Sequence, residues 1–336
     1  MPNNLKGIRT MYHWIYKISS LIICCTLGFL TSVQAQSNWP SKPVRIIVPF
    51  APGGNVDVTA RVVGAAMSKL SNQTFIVENR AGASGKIGAE AAIKSPADGY
   101  TLLMGSNSSL SVAPNLFKDW PYDPVGGISP ASYLAAVPFV LVVRPGLGAK
   151  NLAEVIAVAR QKPNGLSMAS AGNGSSNHLV GEYFQAMTGV QFLHVPYKGA
   201  GPALQDVVAG RVDLLFDQVS SSSAFIEQGR VTPIAVSSAE RWKSLPQTPS
   251  FVEAGISNFV INNFTGLVAP KGTPNDVILA IQALASQALQ DEAVKKSFAT
   301  MGVQAIGAGP TQFSQVIRED LQRWALVIRE KNISLD

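Results

Sequence analysis

Past its first 35 residues the chain has no cysteine: it carries two, Cys24 and Cys25, and both lie in the leading segment. That excludes a disulfide framework and thiol chemistry from everything downstream. Histidine is almost as scarce, with three in all, of which His178 and His194 follow the leader. Two histidines without cysteine or a local acidic cluster make a poor metal site, and no metal or cofactor is expected. Charged residues make up 14% of the chain and no Lys/Arg cluster stands out, which argues against a nucleic-acid partner. Long apolar runs are missing as well, with one exception near the start. Ile18–Leu30 is about 13 residues long, whereas a membrane-spanning helix needs ~20.

That run has a meaning of its own. Lys6, Arg9 and Lys17 precede it, and Val33-Gln34-Ala35 then supplies small residues where a signal peptidase reads them. The layout is that of a secretory signal peptide over residues 1–35, cleaved near Ala35. A lipoprotein reading wants a small residue before the modified cysteine, and Ile23 or Cys24 stands there instead. Cleavage removes three basic residues and no acidic one, so the formal charge falls by three, from +6 to +3. About 300 residues remain, the size at which one core usually gives way to two.

What is present is a repeated unit: a short apolar strand, a polar loop rich in Gly, Ser and Asn, then an amphipathic helix. Val44–Val48 leads through Pro49–Gly54 into a helix from about Val56, with Ala60, Val63, Met67 and Leu70 on one stripe. Thr101–Met104 leads into the loop Gly105–Ser109, and Leu166–Ala169 into Ser170–Asn177. The helix after that carries Val180, Tyr183, Phe184 and Met187 and stops at Gly189. Phe192–Val195 and Val212–Phe216 complete the strands of this kind, and the Ser220–Ser223 run opens a further helix. Asn151 with Glu154 starts a helix over 152–161, Thr273-Pro274 with Asp276 starts another, and Thr311 opens the last. Strands alternating with helices predict an α/β fold built on mostly parallel sheets flanked by helices. With no long linker in view, short crossovers at Pro138–Pro145 and Phe264–Pro270 are the expected breaks between lobes.

In such folds ligands sit at the carboxyl ends of strands. Here those ends carry Gly, Ser and Asn. Free amides at helix N-termini form an anion site without a buried cation, and the loops 49–55, 105–109 and 170–177 each offer several. Asp57 is placed to accept from a ligand hydroxyl or ammonium, or simply to complement its helix dipole. Asp217, at a strand end, faces either a crevice or a costly interior. The serine run 220–223 reads as a cap and a solvated loop, Lys198 equally as a turn residue or a carboxylate partner, and His178 as a cap or loop ligand. Catalysis is poorly supported. Ser106, His178 and Asp217 can be drawn as a triad, but no Gly-x-Ser-x-Gly elbow exposes a nucleophile.

Several blocks then fit a known pattern. Trp39–Pro43, Ile46–Gly54 with Asp57 and Arg61, Val77–Arg80, Ala97–Leu103, Trp120–Pro124, His194–Gly199, Glu253–Gly255 and Gly266–Pro274 resemble the tripartite tricarboxylate transporter receptors, also called the Bordetella uptake gene family. The resemblance covers nearly the whole chain after the leader. It implies a periplasmic, two-lobed Venus-flytrap binding protein of type II with no enzymatic activity, expected as a monomer. Such a receptor holds a small carboxylate between lobes, largely on backbone amides and waters, and passes it to integral-membrane transporter subunits. Residues 36–138 and 264–336 would form one lobe and 139–263 the other. Carried onto this chain, the resemblance places Phe50, Gly53, Gly54, Asn55 and Asp57 at the first contact. Ser106 and Asn107 come second, Ser170, Gly172 and Ser176 third, and Asp217 fourth. Two departures stand out: Val125–Ile128 replaces an acidic and aromatic pair, and Asn55 stands where Ser or Thr is commoner. A sensor that docks on a signalling partner would use the same fold, and an exported hydrolase is the remaining rival.

Overall fold

The structure is a computed structural model describing residues 39–333; the expected leader, its cleavage near Ala35 and both cysteines lie outside the described residues. In chain order the elements are β1 (Val44–Val48), α1 (Asn55–Ser71), β2 (Phe75–Asn79), α2 (Lys86–Ile93), β3 (Thr101–Ser106), α3 (Ala113–Leu116) and β4 (Ile128–Val143). There follow α4 (Leu152–Gln161), β5 (Ser167–Ser170), α5 (Ser176–Thr188), β6 (Leu193–Pro196), α6 (Ala200–Val208), β7 (Leu214–Gln218), α7 (Val219–Glu227) and β8 (Thr232–Val236). The chain ends with β9 (Asn262–Pro270), α8 (Asn275–Gln290), α9 (Glu292–Met301), β10 (Gln304–Ala308) and α10 (Pro310–Glu330).

The strands run in the order β2-β1-β3-β9-β4-β7-β5-β6, with β8 and β10 also paired to β4. The strand–helix units form the expected parallel pairs: β1 with β2 and β3, β5 with β6 and β7. The long strands add antiparallel ones, so the sheet is mixed. β4 is the element that joins its two halves. Ile128–Pro138 pairs with β9, and Phe139–Val143 pairs with β7.

That corrects one expectation. Pro138–Pro145 and Phe264–Pro270 are not bare crossovers; both fall largely within continuous strands. Pro138 and Pro270 are paired within these strands, while a different proline, Pro130, coincides with a register shift up to Ser132, where a bulge absorbs the missing donor. A second correction concerns Gly105–Ser109. The strand runs on to Ser106, and Ser108–Val112 winds into a π-helical turn rather than an open loop.

Helix signals read from the sequence act as their chemistry requires. Asn151 Oδ1 accepts from the Glu154 amide at 3.0 Å and caps α4, and Gly189 closes α5 in the left-handed conformation. Ala60, Val63 and Met67 of α1 are buried against Val44, Ile46 and Val48 of β1 and against Ile278 and Ile281 of α8. Leu70, the last of the expected stripe, is 42% exposed. The second half has its own core. Phe184, Phe216, Phe251 and Phe259 pack there with ring centroids as close as 4.4 Å, each pair adding ~1 kcal/mol beyond its burial. Helix α10 serves both, with Phe313 and Ile317 buried beside β9 and Trp324 buried in the aromatic core.

Candidate functional site

At the carboxyl ends of β1, β3, β5 and β7 the two halves face each other across a cleft. Its residual cavity of about 20 Å³ has room for about one water. Six residues singled out from the sequence line it: Phe50, Gly54, Asn55, Asp57, Ser106 and Ser176. Gly53, Asn107, Ser170, Gly172 and Asp217 are not among its lining residues. The sequence reading missed Ser108, Asn177, Gln218 and Asn263, which complete the polar lining, and the small apolar residues Ala171 and Ala200. Ser108 and Asn177 lay within loops already marked. Asn263 had no signal, because it lies just ahead of the segment Phe264–Pro270 that read as a crossover, in a strand that begins at Asn262.

Asp57 turns out to be committed. Its carboxylate accepts from the Gly53 amide at 3.0 Å, from Asn79 Nδ2 at 2.9 Å and from the Arg61 guanidinium at 2.9–3.1 Å. Burial on its own raises this carboxyl, but those bonds and the Arg61 charge outweigh it and hold the group below the usual carboxylate range. With Asn79 Nδ2 also donating to the Phe50 carbonyl at 3.0 Å, Asp57 fixes the β1–α1 turn. Of the two readings left open, neither is needed to explain it: the side chain organises its own loop.

Asp217 is fully buried in β7. Ser221 and Ser222 each donate to its Oδ2 at 2.7 Å, and Oδ1 has no partner within the protein. Burial pushes this carboxyl up to about 6, against the two hydroxyl donors. The serine run is therefore not a solvated loop. All four serines are buried at the start of α7, and Ser220 reaches across the cleft to donate to Asn55 Oδ1 at 2.7 Å.

Other contacts close the same seam. Ser108 Oγ donates to Ser176 Oγ at 2.8 Å and accepts from the Ser176 amide at 2.9 Å, occupying a donor at the N-terminus of α5. Ser84 donates to the Asn173 carbonyl, and the Ala51 amide to the carbonyl of Lys198 at 3.0 Å. The Lys198 side chain itself is exposed. Backbone meets backbone between Pro49–Gly54 and the start of α6. A Cβ on Gly201 would lie 2.0 Å from the Pro52 carbonyl oxygen, and one on Gly54 would lie 3.3 Å from Ala200 Cβ. Small residues are thus required where the halves touch. Phe50 packs into this contact against Ala171 and Ala200.

The turn after β5 is braced from behind. Ser170 Oγ lies 2.7 Å from His194 Nε2 and accepts from the Gly172 amide at 3.1 Å. His178 Nδ1 accepts from the Gly174 amide at 3.1 Å, as a loop ligand should, and its ring stacks on His194 at 3.8 Å. Burial, helped by His178, pushes His194 down to about 4, with Glu182 pulling the other way. Of Ser106, His178 and Asp217, drawn together as a triad, His178 and Asp217 bond elsewhere, and Ser106 Oγ has no partner within the protein. On the side facing β3, Asp320 of α10 accepts from Ser111 and anchors the π-helical turn; burial pushes it to about 6.

Comparison with known proteins agrees with this arrangement. The family model described as tripartite tricarboxylate transporter family receptor matches residues 59–333. The chain is 30% identical to the solved periplasmic binding protein BugD, with a TM-score of 0.85 over 88% of this chain and 99% of that one. A Rhodopseudomonas palustris protein solved with adipate is 33% identical, with a TM-score of 0.85 over 88% of this chain and 99% of its own. A second from R. palustris, MatC, solved with bound malate, is 31% identical, with a TM-score of 0.84 over 86% of this chain and all of its own. The fold is that of a two-lobed periplasmic binding protein.

Proposed function

This chain belongs to the tripartite tricarboxylate transporter receptor family, and from that premise we propose that it captures a small carboxylate between its lobes in the periplasm and delivers it to the membrane subunits of such a transporter. One observation carries the reading. The cavity is walled by Asn55 and Ser106 from one half and by Ser176 and Gln218 from the other, so a bound ligand joins the halves. The carboxylates bound by the two R. palustris relatives support the ligand class. A lobe boundary at 138/139 is supported by β4, whose pairing passes from β9 to β7 at that point. A second boundary near 263/264 is supported by β9, which returns the chain to β4 and β3 of the first half.

A molecule larger than one water needs the cleft to part before it enters. The chemistry here is binding rather than turnover. Ser170, the serine nearest a histidine in this cleft, is buried and tied to its own loop. His194, pushed to about 4, is a weak base at neutral pH. We include the site residues Phe50, Gly53, Gly54, Asn55, Asp57, Ser106, Asn107, Ser170, Gly172, Ser176 and Asp217 as the turns that form this cleft.

Gly201→Ala tests closure directly. Alanine favours the helix that carries it, yet its methyl cannot coexist with the Pro52 carbonyl in the closed cleft. The ligand-free variant should melt no lower than the parent, while affinity for the best carboxylate in a thermal-shift panel falls at least ~10-fold, equivalent to ~1.4 kcal/mol. Unchanged affinity would refute capture by closure.

A further inference from the structure

We infer that the cleft selects carboxylates that lack an ammonium group, discriminating a dicarboxylic or hydroxy acid from the amino acid of the same length. The inference rests on the carboxylate-receptor reading above and narrows it. An amino acid brings a cation as well as an anion into the cleft, and a cation removed from water needs an acidic partner or several free acceptors. Among the described residues, the charged side chain on the cavity wall is Asp57. Its two oxygens already accept from Gly53, Asn79 and Arg61, and Arg61 neutralises its charge. It has nothing left to offer a cation.

What the wall has to spare is of the opposite kind. Asn55 Nδ2, Asn263 Nδ2 and Ser106 Oγ belong to lining residues at least 97% buried, and none has a hydrogen-bond partner within the protein. Ser220 donates to Asn55 Oδ1, which turns the amide so that its NH2 remains free. Gln218 adds a neutral carboxamide. Asp217, the other carboxylate of the region, is absent from the wall and already holds two serine hydroxyls. Buried donors left unpaired favour a ligand rich in acceptors, and oxygen acids supply them at both ends. An α-ammonium meets the two amide donors instead, with neutral oxygens such as those of Ser106 and Gln218, and no unpaired carboxylate on the wall, to accept from it. Such mismatches discriminate by orders of magnitude, because the polar groups of the site are left unpaired by the wrong ligand.

The test compares matched pairs on the protein from about Gln36 onward, unfolded and refolded to remove carried-over ligand. Succinate and malate are set against aspartate, glutarate against glutamate, and adipate against 2-aminoadipate, by calorimetry. At whichever length binds best, the acid should bind at least ~100-fold more tightly than its amino counterpart. Equal or tighter binding of the amino form would overturn the selectivity while leaving a carboxylate receptor standing. No binding by either series would overturn the carboxylate reading, and this inference with it. Asn263→Asp and, separately, Asn55→Asp supply the missing acidic partner; the ratio should move at least ~10-fold toward the amino form in one of them. A folded pair of variants, judged by circular dichroism, that both keep the parent ratio would remove these two positions as its cause.

Discussion

Two strand-to-helix turns on opposite sides of the cleft each bury an aspartate, and they treat it in opposite ways. In the β1–α1 turn Asp57 is met by a guanidinium, an amide side chain and a backbone N–H, and its charge is held. In the β7–α7 turn Asp217 meets two hydroxyls, one oxygen stays unpaired, and burial favours the protonated form. The same residue type, in the first turn of a helix on one side and near the end of a strand on the other, is a fixed anion in one place and a titrating group in the other. What differs is the supply of donors. Asn79 and Arg61 converge on the first from β2 and from the next turn of α1, while the second has neutral donors without a cation, two serine hydroxyls and the Gln218 amide.

Three experiments bear on that contrast. The largest effect is expected from Asp57→Ala, which strands Arg61, Asn79 and the Gly53 amide together. Stability should fall by ~2–4 kcal/mol in denaturant titration, and the whole ligand panel should weaken. A variant with parental stability and binding would mean that the bonds around Asp57 organise nothing. Next comes Asp217→Asn. A carboxyl raised in the folded state contributes stability that is present below its ordinary 3.8 and lost as pH rises through about 6. The amide keeps an acceptor for the serines and removes the charge. Melting temperature at pH 7.5 should hold or rise, and the component of stability that declines as pH rises from 4 to 6 should disappear, worth at most about 3 kcal/mol. His194 works in the opposite sense, its contribution present above 6.5 and lost as pH falls toward about 4, so the variant should look more acid-sensitive than the parent. An unchanged profile would place Asp217 in water. The smallest effect belongs to Ser108→Ala, which removes the cross-cleft bond to Ser176. Ligand affinity should weaken about 3- to 10-fold with little change in melting temperature; tighter binding would show that Ser108 competes with the ligand for that amide.

Much of this architecture could be read from the residues, and the reasons for the misses are physical. Strand, polar loop and helix follow one another in sequence, so Val44–Val48, Pro49–Gly54 and the α1 stripe were visible as a unit. Asn55 and Ser106 were visible as polar residues at strand ends. The role of Ser220–Ser223 was not, because serine is read as solvated until its partners are known, and Asn55 stands 165 positions away. Asp57 was open to two readings for the same reason: Asn79 reaches it from another strand. β4 and β9 were lost because their prolines and asparagines break the apolar pattern, while pairing between two long strands leaves no local trace.

The path of the chain through the two cores also sets the order in which they can form. The first half waits for β9 and α8, which fill its sheet and its core after the whole second half has been made. The second half looks self-sufficient in sequence, yet its aromatic core takes in Trp324 from α10. Neither half is complete until the last helix arrives, and a chain that stops short of it leaves two unfinished cores rather than one.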